Sequence, residues 1–457
     1  MAREIETDVV VVGGGGAGLT VAGTVAASNK RVRVLVVEQD FDEPCNSAIA
    51  SNFIPAAGTR FQRAAGIEDN AQCFAADIMK KNGGRSDASI ALALCEHSAD
   101  AVHWLVDALA VNLEFAPELT WLGHSVIRMH AHPSRGGPPV LASLRDFAAS
   151  CAQIKMLDHT TATGLIQSDD GTIVGITAMQ GDEPLRIHAR NVVLTTGGYN
   201  ANSALLARHI PDMAQAPNIG AKTDRGDGII WAQEAGATCA LMSGYQGRDC
   251  ISADGTRVTP PVLNEGGIAV NKTGKRFVNE QQDYSALASV YRQQPEQVAF
   301  FIWDQRIQTM VEDVFVMQQA MQRGGIFRAS DTAQLAAQYG LPESELAETL
   351  ARYNEGVACG VDEFSRTELT LPLAPPYYAA RITGAIAHTQ GGLVVDSACR
   401  VMRADGTLIP NLYAGGNTMA GLSGDGANGY LSGNGLMVAY TSGYIIGKHA
   451  AASFETE

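Results

Sequence analysis

The stretch Asp8-Val9-Val10-Val11-Val12-Gly13-Gly14-Gly15-Gly16-Ala17-Gly18 decides how this chain folds. Val9 to Val12 are β-branched and continuously apolar, as a strand buried on both faces requires. The glycines break that strand, Leu19 to Ala27 are helix-compatible, and Val32 to Val37 read as the next strand. Gly13-x-Gly15-x-x-Gly18 therefore joins a strand to a helix, and Glu38 ends the second strand 20 residues after Gly18. Each part has a physical task. The first glycine makes the turn, the second lets backbone approach a pyrophosphate, and the third lets helix and strand pack closely. The helix N-terminus stabilises the anion, while a carboxylate at Glu38 accepts from a ribose diol and repels a 2′-phosphate. A dinucleotide site is expected.

Outward from this start, glycine-ended strands recur. Asn191-Val192-Val193-Leu194-Thr195-Thr196-Gly197-Gly198 is one, and Asn411-Leu412-Tyr413-Ala414-Gly415-Gly416 opens a block that runs to Gly435. Between them, from Ala237 to Pro376, the texture changes to glutamine pairs (281–282, 293–294, 318–319) and helix-like runs such as Glu343 to Tyr353. The expected architecture is α/β: a Rossmann-like nucleotide-binding domain in two parts, 1–236 and 377–457, with an inserted α+β capping (substrate) domain at 237–376.

Composition narrows the function. The 457 residues carry 33 Lys+Arg against 48 Asp+Glu, a formal net charge of −15, with 46% hydrophobic and 18% charged residues. That apolar content opposes disorder, and the acidic balance disfavours nucleic acid and anionic membrane surfaces as partners. No pair of the eight cysteines stands at CxxC spacing and no CxxCH occurs, so zinc ribbons, thioredoxin chemistry and c-type haem have no support. Scattered cysteines read as reduced thiols of a cytosolic protein. Val9 to Ser28 is too rich in glycine, and too acidic before it, for a signal peptide or a spanning helix. A cytoplasmic location is expected.

Several pieces, taken in order, carry a resemblance. They are Val9 to Glu38; Asn46-Ser47 through Ala57-Gly58-Thr59; Val193 to Tyr199; Gly226-Asp227-Gly228; Gly274-Lys275-Arg276-Phe277-Val278-Asn279-Glu280; His388-Thr389-Gln390-Gly391-Gly392-Leu393; and Leu412 to Asn417. Across nearly its whole length the chain resembles the flavoprotein superfamily of fumarate reductases, succinate dehydrogenases and 3-ketosteroid dehydrogenases. The resemblance implies FAD, with Gly13, Gly15, Gly18 and Glu38 holding the adenosine diphosphate. It implies Asn46 and Ser47 at the pyrophosphate and flavin, and Thr196-Gly197 on the adenosine side. Asn417, Ser432, Asn434 and Leu436 fall where the family's last helix points at the flavin, and Gly16, Ala17, Gln39, Ala162 and Asp227 complete the expected contacts. The family's flavin-facing Ser-Gly-Gly is Ser51-Asn52-Phe53 here. No histidine lies between Cys45 and Thr59, where some relatives link FAD covalently, so non-covalent FAD is expected.

The substrate side departs from the fumarate reductases. The arginine that delivers their proton aligns with Tyr284, and a second arginine beside the flavin aligns with Tyr430 in Gly429-Tyr430-Leu431-Ser432-Gly433-Asn434. Both are tyrosines, as suits the ketosteroid-dehydrogenase branch and its neutral carbonyl substrates. His388 matches a carboxylate-binding histidine and Glu265 a proton-relay glutamate. The candidate catalytic set is thus Tyr430, Ser432, Tyr284, His388 and Glu265. His130-Ala131-His132 could suggest a metal clip, but Pro133 and Gly136-Gly137-Pro138 follow, and the family has a histidine-proline loop here without metal. No metal is expected. The expected activity is FAD-dependent dehydrogenation or reduction of a carbon–carbon bond next to a carbonyl or carboxylate. The alternatives are a 3-ketosteroid dehydrogenase proper or a non-catalytic flavin-binding protein. The substrate would be a small ketone or carboxylate. Without a haem or iron–sulfur motif, electrons would pass to or from a separate partner.

Overall fold

The computed structural model describes residues 2–117, 121–252, 255 and 257–455. The β-branched runs form a parallel array of β1 (Arg3–Val12), β2 (Val34–Val37), β3 (Ile154–Leu157), β4 (Glu183–Leu194) and β5 (Leu408–Ala414), ordered β5-β4-β1-β2-β3. Val9 to Val12 and Val34 to Val37 are all buried, which explains why these segments show no alternation. Strand Arg400–Met402 runs antiparallel to β5, and the hairpin Thr160–Gln167/Ile173–Gln180 pairs onto β4.

Register sets the site. Val12 pairs with both Val37 and Leu194, and Leu194 pairs with Ala414. These strands end level, and their carboxyl ends lead into Gly13, Glu38, Thr195 and Gly415. In an open parallel sheet the ligand crevice lies beyond such ends. Helices α1 (Gly16–Ser28) and α2 (Asn434–Ala452) pack closely on each other. A Cβ at Gly443 would meet the Ala17 carbonyl oxygen at 2.8 Å, and one at Gly447 would meet Thr24 Cβ at 2.5 Å.

The chain divides into two compact units, Met1–Ile210 with Gly220–Gln246 and Ala387–Glu457, and Pro211–Ile219 with Gly247–Ile386. Composition placed the borders at 236/237 and 376/377; the chain instead changes unit inside strands Tyr245–Ser252 and Tyr377–Thr389, where composition does not change. The capping sheet runs in the order Tyr245–Ser252, Tyr377–Thr389, Ala299–Asp304, Ile268–Val270. Its core includes Trp303, Phe300, Phe301 and Tyr291. A buried ion network underlies it. Arg276 binds Glu280 at 2.7 Å and Asp362 at 2.6 Å, and Glu280 also accepts from the Ala269 N–H at 3.0 Å. The Gly274–Glu280 motif is therefore a brace for the chain leading to Tyr284. No helix among the described residues is long and apolar enough to cross a membrane.

Candidate functional site

Backbone builds the first part of the site. Gly13 has φ +105°, and a Cβ there would meet the Thr195 carbonyl oxygen at 2.3 Å. A Cβ at Gly18 would lie 1.9 Å from the Gly13 carbonyl oxygen. Gly15 differs: its Cβ would find nothing closer than Cys45 Sγ at 3.7 Å, so its backbone faces space. α1 starts at Gly15 and α2 at Gly433, both without a side-chain cap and without acidic residues in the first turn. Their leading N–H groups lack intrahelical partners and form the positive ends of the helix dipoles. Glu38 Oε2 accepts from the Gly14 N–H at 2.6 Å and Oε1 from the Asp40 N–H at 3.1 Å, which seats the carboxylate beside the turn.

Asn46 is fixed at both ends of its amide. It donates to Asp224 Oδ2 at 2.7 Å and accepts from the Ala221 N–H at 2.7 Å. Asp224 also accepts from the Gly198 N–H at 3.1 Å. Burial pushes its carboxyl up to about 7, although these hydrogen bonds pull the other way. Ser47 packs on α1, with Oγ 2.6 Å from where a Gly16 Cβ would stand. Asn52 takes φ +57°, the left-handed conformation that a glycine adopts freely, and donates to the Ser47 carbonyl at 3.1 Å. Asn52 thus holds a glycine-like backbone. Thr418 Oγ1 donates to the Gly197 carbonyl at 3.1 Å and lies 3.4 Å from Thr196 Oγ1, beside the half-buried Asn417. Ala162 and Leu436 are half-buried, and Ala17 is buried in α1. Gln39 accepts from Arg225 at 3.4 Å, and Asp227 pairs with the same guanidinium at 3.0 Å.

Asn434 heads α2. It is fully buried, and neither atom of its side-chain amide has a partner among the described residues. Such a group calls for an explanation. A ligand edge offering both a donor and an acceptor would satisfy it, as the pyrimidine edge of a flavin does.

The same helix end gathers three of the candidate catalytic residues. Tyr430 and His388 are buried with ring centroids 5.7 Å apart, and a Cβ at Gly435 would meet His388 Nε2 at 3.0 Å. Ser423 donates to Gln390 Oε1 at 3.0 Å, and Gln390 Nε2 donates to His388 Nδ1 at 3.0 Å. With Nδ1 accepting, the proton of neutral His388 sits on Nε2. Ser432 is buried two residues from Tyr430, its carbonyl bonded to His124 Nε2 at 2.9 Å.

Tyr284 and Glu265 belong to the capping unit. Tyr284 opens helix Tyr284–Arg292, which Asp283 caps by accepting from the Ser285 N–H at 2.8 Å. Gly247 lets strand and helix approach, since a Cβ there would meet the Ser285 carbonyl oxygen at 2.4 Å, and Arg248 then lies 4.5 Å over the Tyr284 ring. The Glu265 carbonyl accepts from Arg306 and Thr370, at 3.1 and 2.8 Å. His130 is enclosed by protein, with Nε2 2.9 Å from Thr59 Oγ1 and Nδ1 3.3 Å from the Ile54 carbonyl.

Residues 8–436 match the FAD binding domain family. This chain belongs to that family. It is 30% identical to a probable fumarate reductase of Shewanella frigidimarina over 97% of this chain and 75% of that one. It is 31% identical to a 3-oxosteroid 1-dehydrogenase of Mycobacterium tuberculosis over 59% of this chain and 54% of that one. The solved structure of a flavocytochrome c3 fumarate reductase superposes with a TM-score of 0.85 at 29% identity, covering 98% of this chain and 78% of that one. The protein is an FAD-dependent oxidoreductase acting on carbon–carbon double bonds. Its bare helix ends, its open Gly15 backbone and the unpartnered Asn434 amide all fit FAD.

Sequence reasoning overlooked several groups in this flavoenzyme. Asp224 and Gln390 stand near or within quoted motifs but act through side-chain geometry, and Arg248 stands outside all of them. His124 and Arg128 have no motif of their own. The spacing of His124 and Arg128, four residues apart in a loop, gave no signal.

Proposed function

We propose that this enzyme introduces or reduces a carbon–carbon double bond next to a carbonyl or a single carboxylate, with Tyr430 moving the proton. The observation that carries the reading is Tyr430 packed on His388, 5.7 Å between ring centroids, at the head of α2. The chemistry that bound FAD supplies is exchange of a hydride with one carbon of that bond. The protein must manage the proton on the neighbouring carbon and the charge that gathers on oxygen. A phenol at Tyr430 can give or take that proton. The Ser432 hydroxyl and the Nε2 proton of His388 are donors for the oxygen. Within the capping unit, Tyr284 carries a hydroxyl, and Arg248 over its ring has the planar donors that suit one carboxylate. Glu265 is the candidate proton relay. Gly13, Gly15, Glu38, Asn46 and Asn434 lead the residues that hold FAD, non-covalently. The 31% identity to a 3-oxosteroid 1-dehydrogenase favours a second reading, a ketosteroid dehydrogenase proper.

Anaerobic titration of the oxidised enzyme with ketones, monocarboxylates, succinate and a 3-ketosteroid, followed by the flavin absorbance, tests this. Bleaching by ketones or monocarboxylates supports the proposal, and bleaching by the steroid alone favours the second reading. Bleaching by succinate alone contradicts both.

A further inference from the structure

The loop that carries Tyr430 and Ser432 is tied to a buried ion network on a distant part of the chain. Arg128 has a fully buried side chain that donates to Asp69 at 2.9 and 3.1 Å and to Asp77 at 2.6 Å. Asp77 also accepts from the Ser125 N–H and hydroxyl, each at 2.8 Å. The network packs on Phe74, with Arg128 4.5 Å over its ring and His124 6.0 Å from it. One guanidinium nitrogen, Nη1, also lies 3.2 Å from His124 Nδ1. A guanidinium only donates, so Nδ1 must accept, and the imidazole proton is forced onto Nε2. Nε2 stands 2.9 Å from the Ser432 carbonyl oxygen. That carbonyl immediately precedes Gly433, whose left-handed φ of +86° turns the chain into α2. Gly123 presses on the same loop, since a Cβ there would meet Leu431 Cδ1 at 2.8 Å.

We propose that His124 is a positioning residue, held as its Nε2–H tautomer by Arg128, that fixes the Tyr430–Ser432 loop through the Ser432 carbonyl. The proposal rests on the reading of Tyr430 only for its consequence in catalysis. Arg128, Asp77 and Asp69 are the charged groups that face His124. Burial holds the imidazole well below its ordinary range, at about 4, and the Arg128 charge adds to that, so the neutral form persists across the physiological range. A protonated Nδ1 would point a second donor at the guanidinium and break the chain of bonds. The arrangement matters because a misplacement of about 1 Å in a reacting group reduces rate by roughly 10²-fold.

Two measurements on the FAD-loaded enzyme test it, and neither needs a substrate. Nitrogen-15 spectra of histidine-labelled wild-type protein should show His124 as the neutral Nε2–H tautomer, without titration between pH 5 and 8. The opposite tautomer, or titration in that range, overturns the proposal without any variant having to fold. In the second, 3-fluorotyrosine at position 430 should give one fluorine resonance. His124→Ala should split or broaden that resonance so that less than half remains at the wild-type position, and His124→Gln, which keeps a donor, should restore part of it. An unchanged single resonance in folded His124→Ala overturns the proposal. Failure of the catalytic reading is seen separately, as a Tyr430→Phe enzyme with a near wild-type rate and both spectra as expected.

Discussion

Three glycine-led helices of the nucleotide-binding unit and three aspartate-led helices of the capping unit solve their N-terminal ends in opposite ways. In the first, α1, α2 and helix Asp227–Glu234 begin at Gly15, Gly433 and Gly226 without side-chain caps. In the second, helices Tyr284–Arg292, Gln305–Val311 and Thr332–Tyr339 begin on Asp283, Asp304 and Asp331, whose carboxylates accept from the first-turn N–H groups. Bare ends keep their donors for a ligand, and capped ends spend them on stability. The glycine-led ends are thus made of backbone alone, and the aspartate-led ends of side chains. A methyl group should be ruinous in one, and loss of a whole carboxylate tolerable in the other.

Gly18→Ala tests the backbone side most severely. Its Cβ would lie 1.9 Å from a carbonyl oxygen, so the purified protein should be colourless or fail to accumulate; a yellow, stable variant breaks the comparison. Glu38→Ala should retain the fold but weaken FAD binding by about 1.5–3 kcal/mol, the loss of a charge-assisted hydrogen bond, as read by flavin release on dilution. Asp224 sharpens the contrast through pH. Its carboxyl titrates at about 7 in the fold against 3.8 as the ordinary value, so in that window the folded state holds a proton the unfolded state has lost. Stability should therefore fall as pH rises from 3.8 towards about 7, by at most about 1.4 kcal/mol per pH unit from this group. Asp224→Asn should flatten that slope in denaturation curves. Asp283→Ala, in the capping unit, should cost only about 1 kcal/mol, the typical value of an N-cap; unfolding of the whole unit would show that the cap does more than end a helix.

The same contrast explains what was legible in the sequence. Glycines that must be glycine leave a fixed spacing, so Gly13-x-Gly15-x-x-Gly18 could be read directly and the FAD family through the resemblance, whereas the level strand ends follow from register. Asn434 was singled out only through the resemblance, at the end of the glycine-rich block that leads into α2. The unit borders were not, since strands Tyr245–Ser252 and Tyr377–Thr389 run through them without a change of texture. Arg248 over Tyr284, and Arg128 donating to His124, join residues 36 and four positions apart through the packing of side chains. Gly247, which allows the first contact, gives no pattern of its own. Asp224 was hidden for a different reason: the half-buried Asp227 three residues on sits in the recognisable Gly-Asp-Gly, while the buried acid that bonds Asn46 lies outside it.

The central claim is that Tyr430 moves the proton. Tyr430→Phe tests it most directly, because the ring and its packing on His388 survive while the hydroxyl is lost. With the best substrate from the ketone and monocarboxylate panel, the variant should keep its FAD, lose roughly 10²–10⁴ in rate, and lose the basic limb of its rate–pH profile. A near wild-type rate with an unaltered profile would contradict the account and leave proton transfer to Tyr284 or Glu265.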